Sequence, residues 1–405
     1  MTGHAEAQPP RIGSLTELLQ RTSSKRFLEA ASAADIGLTD AVVYPFLALV
    51  GQREMRLALM LGLVNPNVGG VLLIGPRGTG KTTAVRSLTD LLPPVTRSLC
   101  PYGCLPEDVQ AGGQDAICPD CARRYAQGEA LVYQDRVRLI ELPLNARIED
   151  VVGGLDERAA IHQRLRLSRG LLARADQNLL YVDEVNLLGD EIVDAILDAA
   201  AQGIYTVHRG PLAAVYRARF VLIGSMNPEE GRLRPQILDR FGLRVVVRGL
   251  EEQTDRMEAY RRSVSYRASP RRLAQEYADE TLAAAEEIAQ ARAALPATTI
   301  SPAAETLGLR LIKEMGIESL RAEITLFEAA RAHAVADGRS QAEEHDIRQV
   351  APMALRMRRS QFMVDYLGEQ QQEDDELSQL IQPRPTRRKP GAKPRASTAR
   401  RRSPA

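Results

Sequence analysis

The chain has 405 residues, of which 44% are hydrophobic and 4% aromatic, and its formal net charge is +1. This length predicts two to three domains, and the balanced charge gives no overall attraction to nucleic acid or to a membrane surface. Five scattered histidines leave little material for a histidine-based metal centre or acid–base triad. The longest apolar run near the N-terminus, residues 41–50, is too short to span a bilayer, and the first ten residues lack the features of a signal peptide. We therefore expect a cytoplasmic protein without a membrane span.

The first 250 residues predict an extension followed by an α/β core. Residues 1–40 are polar and alanine-rich, which indicates an N-terminal extension. In residues 41–250, short apolar stretches alternate with helical or loop segments, as is typical of an open, mostly parallel sheet covered on both faces by helices. The predicted strands are residues 71–74, 138–142, 179–182, 219–224 and 244–247.

The rest of the chain predicts a helical domain and a tail. Residues 251–366 are rich in alanine, leucine, arginine and glutamate, and Ser301-Pro302 supplies an N-cap followed by proline at the first helical position. Residues 367–405 begin with an acidic, glutamine-rich stretch. They end with nine Lys or Arg and no acid in residues 383–405, which predicts a disordered tail.

A glycine-rich loop follows the first predicted strand, where residues 72–83 read LLIGPRGTGKTT. The spacing G-x-x-x-x-G-K-[ST] between a strand and a helix is that of a phosphate-binding loop, whose backbone N–H groups close around phosphate oxygens. In such a loop Lys81 reaches the β- and γ-phosphates and the Thr82 hydroxyl binds Mg²⁺. The predicted nucleotide-binding residues are Gly75, Pro76, Arg77, Gly78, Thr79, Gly80, Lys81, Thr82 and Thr83. The alternative is a glycine-rich turn that happens to carry a lysine.

Two further predicted strands end in polar residues suited to hydrolysis. Asp183 and Glu184 follow the apolar stretch 179–182, where Asp183 suits Mg²⁺ coordination and Glu184 suits polarising an attacking water. Adjacent acids in such a place are also typical of a helix N-cap. Asn227 ends the sequence FVLIGSMN, and its amide is placed to hydrogen-bond the water or the γ-phosphate.

All four cysteines fall in residues 98–136, as two close pairs. Cys100 with Cys104 and Cys118 with Cys121 have the spacing of a closed, tetrahedral Cys₄ zinc site with a structural role. The alternatives are disulfides, which are rare in a cytosolic protein, and reduced or redox-sensing thiols.

Taken together, these motifs resemble those of AAA+ ATPases and, more narrowly, of the I subunit of magnesium chelatase. The resemblance covers roughly residues 43–360. Its most specific segments read YPFLALVGQREMRLAL, IELPLNARIEDVVGGLD, GLLARADQNLLYVDEVNLLGDEIVDAILD, GSMNPEEGRLRPQILDRFGL and LRAEITLFEAARAHA. The resemblance implies an AAA+ core followed by an all-α lid domain, and it identifies residues 141–178 as family-specific elements that project from a ring.

The resemblance also assigns roles to individual residues. Asn227 is similar to the sensor 1 residue, Arg240 to the arginine finger that reaches the nucleotide of a neighbouring subunit, and Arg321 to the sensor 2 residue. Arg174 is implied as a second interface arginine, and Val50 and Gly51 as parts of the adenine pocket. Residues 197–199 read LDA where the family has LDV, a suggested contact for the D subunit, so this sequence departs from the family there.

The function implied by the resemblance is that of an ATP-driven motor subunit that uses ATP and Mg²⁺. Such subunits form a ring, hexameric in relatives, and act with a D subunit and a porphyrin-carrying H subunit to insert Mg²⁺ into protoporphyrin IX for chlorophyll or bacteriochlorophyll synthesis. One alternative keeps the motor but changes its client to another metal insertion system, such as cobalt insertion, or to activation of a metal-binding protein. Another is a nucleic-acid remodelling protein, suggested by the basic tail and the cysteine pairs, although the tail lacks aromatics for base stacking.

Overall fold

The computed structural model describes residues 42–359 except Pro101, residues 156–166 and Pro211. The predicted N-terminal extension and C-terminal tail lie outside the described residues. Within the described part of the chain, no helix combines the length and the apolar character needed to cross a bilayer.

The strands form one central sheet and three small pairs. In chain order they are β1 (Val71–Ile74), β2 (Val95–Ser98), β3 (Val132–Asp135), β4 (Leu139–Glu141), β5 (Leu179–Val182), β6 (Ile204–Arg209), β7 (Leu212–Arg217), β8 (Val221–Met226), β9 (Leu243–Val246), β10 (Thr299–Ile300) and β11 (Gln341–Ala342). The central sheet has the order β4-β5-β8-β1-β9, and all of its strands are parallel. The predicted open parallel sheet is confirmed, and each of its strands lies within two residues of the predicted bounds.

The helices surround this sheet. They are α1 (Arg53–Val64), α2 (Lys81–Arg86), α3 (Pro106–Gly112), α4 (Pro119–Ala126), α5 (Ile148–Val152), α6 (Leu171–Ala175), α7 (Asp190–Gln202), α8 (Pro235–Arg240), α9 (Gln253–Ala268), α10 (Pro270–Glu276), α11 (Ala278–Ala294), α12 (Pro302–Glu314), α13 (Leu320–Ala336) and α14 (Glu344–Leu355). The helix predicted after the glycine loop is present but short. The α-helix α2 ends at Arg86, and the 3₁₀ helix Ser87–Leu91 follows it directly.

Two hydrophobic clusters cover the two faces of the sheet. Val71 and Leu73 of β1 face one cluster, which includes α1 and the C-terminal helices α12, α13 and α14. Leu72 and Ile74 face the other, which includes α7. Side chains of a strand alternate between the faces of the sheet, so a strand buried on both faces is apolar throughout. This explains why the central strands could be recognised as short apolar runs.

The C-terminal part is helical, as predicted, with one addition. Ser301 caps α12 by accepting a hydrogen bond from the Ala304 backbone N–H at 3.2 Å, and Pro302 takes the first helical position. The addition is the parallel pair β10–β11, which closes one end of the helical region.

A hairpin between α7 and the central sheet was not predicted. Its strands β6 and β7 pair antiparallel on either side of Gly210. The segment 98–136, which we call the cysteine module, packs against it through the stacked rings of Tyr102 and Tyr216, 5.7 Å apart, and an ion pair of Asp108 with Arg217. Alternating apolar residues around Arg209-Gly210-Pro211 were the sequence signal that predicts such a hairpin.

Parallel strands give the central sheet two distinct edges. All of its strands end on one side, here called the carboxyl edge, where the glycine loop and the Asp183-Glu184 pair follow β1 and β5. All of its strands begin on the other side, here called the amino edge. In open parallel sheets ligands bind at the carboxyl edge, so this edge is where a nucleotide site is expected.

Candidate active site

The glycine loop leaves the carboxyl edge directly after β1 and is shaped by its glycines. A side chain at Gly75 would place its Cβ 2.1 Å from the Val247 carbonyl oxygen, so only glycine fits there. Gly78 and Gly80 have φ angles of 78° and 85°, a region that side-chain-bearing residues rarely occupy. Helix α2 then begins at Lys81. The loop therefore has the strand-to-helix context that phosphate binding requires.

Lys81 lies against its own loop. Its Nζ atom donates hydrogen bonds to the carbonyl oxygens of Gly75 at 2.6 Å and Pro76 at 2.8 Å. Burial lowers the pKa of Lys81, and the nearby charges of Asp183, Glu230 and Glu184 offset part of this effect. The ammonium group is thus held at the loop among the acids of the site.

Thr82 and Asp183 share a buried partner, Tyr181. The Tyr181 hydroxyl lies 3.2 Å from the Thr82 hydroxyl and donates to the Asp183 carboxylate at 2.9 Å, while Ser225 also donates to Asp183. Burial raises the pKa of Tyr181, which keeps its hydroxyl protonated as a donor. The two predicted Mg²⁺ ligands are therefore brought together.

Sequence reasoning missed Tyr181 and Ser225, although a signal was present. Tyr181 stands two residues before Asp183, and Ser225 stands two residues before Asn227. Residues two apart on a strand share a face of the sheet, so each was placed on the same face as a predicted site residue.

Glu184 has a left-handed backbone and lies in an ion-paired group. Its φ angle is 50°, which is strained for a residue with a side chain, and its backbone N–H donates to the Ser225 hydroxyl at 3.3 Å. Its carboxylate accepts from Arg77 at 3.2 Å. Arg77 also pairs with Glu230, whose carboxylate accepts from the Asn227 side-chain amide at 3.2 Å. Glu230 had not been predicted as a site residue.

A cavity of about 950 Å³ opens beside the loop. Its lining includes the predicted residues Val50, Gly78, Thr79, Gly80, Thr82 and Thr83, and also Tyr44, Arg256, Tyr266 and Arg267, which were not predicted. Gly51 turns the chain next to the cavity with a φ angle of 65°, and a Cβ there would lie 2.6 Å from a methyl group of Leu250. The cavity runs from the phosphate loop to an aromatic and aliphatic wall, as a nucleotide requires.

Arg240 lies at the opposite edge of the sheet from the glycine loop. It ends α8, and the backbone N–H groups of Gly242 and Leu243 then donate to the carbonyls of Gly69 and Gly70, just before β1. Gly69 is separated from Gly75 by the length of β1, roughly 20 Å at about 3.3 Å per residue. This is beyond the reach of one arginine side chain, so Arg240 is not part of the cavity formed by its own chain.

Arg240 and Arg321 belong to one group at the amino edge. Arg240 pairs with Asp194 at 3.0 Å and Asp198 at 2.9 Å on α7. Arg321 pairs with Asp239 at 3.4 Å, and both arginines line a second cavity of about 520 Å³. Asp198 is the middle residue of the LDA sequence that departs from the family pattern.

Asp239 anchors this group to the helical region. Besides Arg321, it binds the Ser319 hydroxyl at 2.9 Å and the buried Arg358 at 2.9 Å. Burial alone would raise the pKa of Asp239, but the hydrogen bond from Ser319 and the charges of Arg358, Arg244 and Arg321 outweigh it and lower the pKa.

Arg174 also lies toward the amino edge. It is exposed on α6, and its carbonyl accepts a hydrogen bond of 2.8 Å from the side chain of Asn178, directly before β5. The structure thus gathers the loop residues, Asp183, Glu184 and Asn227 at one edge, and Arg174, Arg240 and Arg321 at the other.

The four cysteines form a cluster whose sulfur atoms all lie within 4.8 Å of one another. A tetrahedral site with Zn–S bonds of about 2.3 Å needs sulfurs about 3.8 Å apart, so small adjustments would complete it. Backbone N–H groups of Cys104 and Cys118 point at the sulfurs of Cys100 and Cys104, both at 3.3 Å, as thiolate ligands require. All four are free thiols, without disulfides.

Without a metal, the cysteine thiols differ in their acid–base properties. Burial raises the pKa of Cys104 to about 12. At Cys100, hydrogen bonds from Ser98 and Cys104 outweigh burial and lower the pKa to about 7. A divalent cation would favour the thiolate form of all four. The donor set therefore fits zinc.

A second group of possible metal ligands is already neutralised by an arginine. His333, Asp337 and Asp346 lie close together, but Arg339 donates to both carboxylate oxygens of Asp346, at 2.7 Å and 2.5 Å. His333 Nδ1 lies 2.6 Å from the same carboxylate. This group joins α13 to α14 and has a structural role.

Comparisons with known proteins identify what this chain is similar to. A family model described as an AAA domain matches residues 67–230, and one described as an AAA lid domain matches residues 310–380. The chain is 39% identical over 343 residues to a magnesium-chelatase subunit ChlI homolog of Methanocaldococcus jannaschii, covering 84% of this chain and 91% of that protein. It is 43% identical over 318 residues to the magnesium-chelatase 38 kDa subunit of Acidiphilium rubrum, covering 78% and 91%.

One solved structure is also similar in sequence. A model of the complex between the BchI and BchD subunits of magnesium chelatase contains a chain that is 38% identical, with 80% of this chain and 99% of that chain covered and a TM-score of 0.45.

Proposed function

Since the chain belongs to the magnesium-chelatase I-subunit family of AAA+ ATPases, we propose that it is the ATP-hydrolysing motor of a chelatase that inserts Mg²⁺ into protoporphyrin IX. Such a reaction is a step toward chlorophyll or bacteriochlorophyll. The observation that carries the proposal is the convergence of Lys81, Thr82, Asp183, Glu184 and Asn227 at the carboxyl edge. The need for a motor is physical, because Mg²⁺ releases its water reluctantly.

In this proposal each polar group at the carboxyl edge has one task. Lys81 and the loop N–H groups bind the phosphates of ATP, and Thr82 and Asp183 hold the Mg²⁺ that accompanies the nucleotide. Glu184 accepts a hydrogen bond from the attacking water, and Asn227 orients the water or the γ-phosphate. Val50 and the wall of the cavity receive the base.

The arginines at the amino edge act on the nucleotide of a neighbouring copy. Charge that develops on the transferred phosphoryl group needs cationic partners, and an arginine supplied in trans contributes about 10³- to 10⁵-fold to the rate. Arg240 cannot reach its own cavity, so head-to-tail contacts between copies are required. A series of such contacts closes into a ring, and we propose a hexamer with Arg321 and Arg174 at the same interface.

The partners and the zinc site complete the proposal. The BchI–BchD complex is the precedent for a D subunit as partner, and a porphyrin-binding H subunit is the further partner. Cys100, Cys104, Cys118 and Cys121 would hold a zinc ion. Bound zinc would supply a structural cross-link to a module whose own hydrophobic cluster is small.

Reconstitution tests this function directly. The native chain, candidate D and H subunits, ATP, Mg²⁺ and protoporphyrin IX are combined, and Mg-porphyrin is measured by its absorbance. We expect product with the native chain and with Glu305→Gln, an exposed charge-matched control on α12, and none with Glu184→Gln. Equal product with Glu184→Gln would show that hydrolysis by this chain does not drive insertion.

A further inference from the structure

Arg77, on the glycine loop, lies between two glutamates of the site. Its Nη2 atom is 2.5 Å from Glu230 Oε1 and 3.2 Å from Glu184 Oε1. The Arg77 side chain is 72% exposed, whereas those of Glu184 and Glu230 are 22% and 20% exposed. The arginine is therefore the most exposed member of this group, and the two carboxylates compete for it.

Glu230 also connects the arginine to the Asn227 amide. The oxygen that binds Arg77 accepts from Asn227 Nδ2 at 3.2 Å, and Asn227 is 4% exposed. The second oxygen of Glu230 is buried and has no hydrogen-bond partner among the described residues. A buried, partly unpaired carboxylate is costly to keep, which indicates a role beyond local packing.

The two glutamates hold Arg77 in different ways. Attraction between opposite charges falls with distance, so the charge attraction is stronger across the 2.5 Å contact with Glu230, whereas the 3.2 Å contact with Glu184 has the geometry of a hydrogen bond. A Glu184 carboxylate bound tightly to a guanidinium would be a poorer acceptor for the attacking water, because the positive charge lowers its basicity and occupies Oε1. A competing carboxylate nearby relieves this conflict.

We propose that Glu230 is a positioning residue that draws the Arg77 guanidinium away from Glu184, and so leaves Glu184 available to the attacking water. The inference rests on the proposed function only in requiring that the chain hydrolyses ATP. It adds Glu230 and Arg77 to the residues on which the rate of ATP hydrolysis depends. It also predicts that the effect of substituting Glu230 on this rate depends on whether Arg77 is present.

The test is a pair of substitutions measured alone and together. Glu230→Gln removes the charge but keeps an oxygen that can accept from Asn227, so Arg77 is left with Glu184 as its carboxylate partner. We expect kcat for ATP to fall at least about tenfold while KM for MgATP changes less than about threefold. The double variant Arg77→Gln/Glu230→Gln has no guanidinium at position 77 that could bind Glu184. We therefore expect the kcat of the double variant to lie within about threefold of the kcat of the single variant Arg77→Gln.

The matched control is Glu229→Gln, which removes the same charge from the exposed neighbouring side chain and should leave kcat unchanged. Melting temperatures of all variants report folding. Effects of the two substitutions that simply multiply, or a Glu230→Gln variant with native kcat, would overturn the role of Glu230. If the native chain shows no ATPase activity that depends on Lys81, the proposed function is overturned as well. ATPase activity without chelation would overturn only the chelatase assignment.

Discussion

Tyr181 is the residue that connects the loop side of the site to its acidic side. Its hydroxyl contacts Thr82, Asp183 and Ser225 from a buried position. Groups that orient a metal ligand affect metal affinity even though they do not touch the metal. In the proposed function, where Thr82 and Asp183 hold Mg²⁺, Tyr181 is placed to orient their oxygens toward the ion.

Tyr181→Phe should weaken Mg²⁺ use while keeping the fold. Losing the shared hydroxyl should raise the Mg²⁺ concentration for half-maximal ATPase activity roughly tenfold. It should lower the free energy of unfolding by about 1 kcal/mol. Mg²⁺ titration and urea unfolding measure the two effects, with the exposed Tyr133→Phe as control. An unchanged Mg²⁺ dependence would show that Tyr181 does not position the ligands.

Asp346 gives a prediction about pH. Burial would raise its pKa, but the hydrogen bonds from Arg339, Glu343 and His333 outweigh this and lower the pKa to about 2. An unfolded Asp has a pKa of about 3.9, so the folded state binds its proton more weakly. This stabilisation is complete above about pH 5 and is lost as the pH falls toward 2.

Asp346→Asn should therefore be destabilising in a pH-dependent way. At pH 7 the free energy of unfolding should fall by roughly 2 kcal/mol relative to the native chain. The difference should shrink as the pH is lowered below 4. Urea unfolding of the native chain and the variant at pH 7 and below pH 4 measures this difference. A difference in the free energy of unfolding that is the same under both conditions would contradict its ionic origin.

At the residue scale, the sequence predicts the ends of strands better than the contacts between them. Asp183 and Asn227 could be placed at one edge because each follows or ends a recognisable apolar stretch, and Lys81 and Thr82 because the glycine loop joins them to another such stretch. Glu230 could not, because its role depends on β8 lying between β1 and β5. That order is a property of the whole sheet and has no local signal.

At the scale of elements, the cysteine module and the β6–β7 hairpin form one unit. Tyr216 stacks on Tyr102 of the module at 5.7 Å and on Tyr205 of the hairpin at 5.6 Å. Asp108 pairs with Arg217 at 2.5 Å. At the other end of the hairpin, Arg209 donates to the Gly153 carbonyl at 3.3 Å. Order in the module should therefore be transmitted to the hairpin.

Loss of the proposed zinc ion should loosen both the cysteine module and the hairpin. The purified chain should contain near one zinc per chain, and Cys121→Ser should lose it. Amide hydrogen exchange should then become faster in residues 98–136 and 204–217 and stay slow in β1, which packs in a separate cluster. Unchanged exchange in the hairpin, or a native chain without zinc, would contradict this coupling.

The hairpin had a weaker sequence signal than the central strands, and its contacts with the cysteine module had none. The central strands are apolar throughout because both of their faces are buried, whereas β6 and β7 alternate exposed residues with half-buried or buried ones. Much of the hairpin's support comes from Tyr102 and Asp108, about a hundred residues away in sequence. A local pattern cannot report a contact of that range.

At the scale of the whole molecule, the parallel sheet separates the two halves of the proposed site. Lys81 and Glu184 lie at the carboxyl edge, and Arg240 lies at the amino edge. Arg240 is 28% exposed and its partners Asp194 and Asp198 are 51% and 57% exposed. Ion pairs with such exposed carboxylates contribute little to stability, so in the proposed ring Arg240 would exchange them for a phosphate of the neighbouring copy at small cost.

This separation predicts that two inactive variants restore activity when mixed. Lys81→Ala lacks the loop cation and Arg240→Ala lacks the finger, so each alone should have little ATPase activity. In a randomly mixed ring, about one quarter of the interfaces join an intact loop to an intact finger, and about that share of native activity should return.

Mixing Lys81→Ala with Glu184→Gln is the matched control. Both of these residues belong to the same copy's half of the site, so no interface is complete and the mixture should stay inactive. Arg240 acting within its own chain predicts the opposite for the first mixture, because no single copy in it would hold both Lys81 and Arg240.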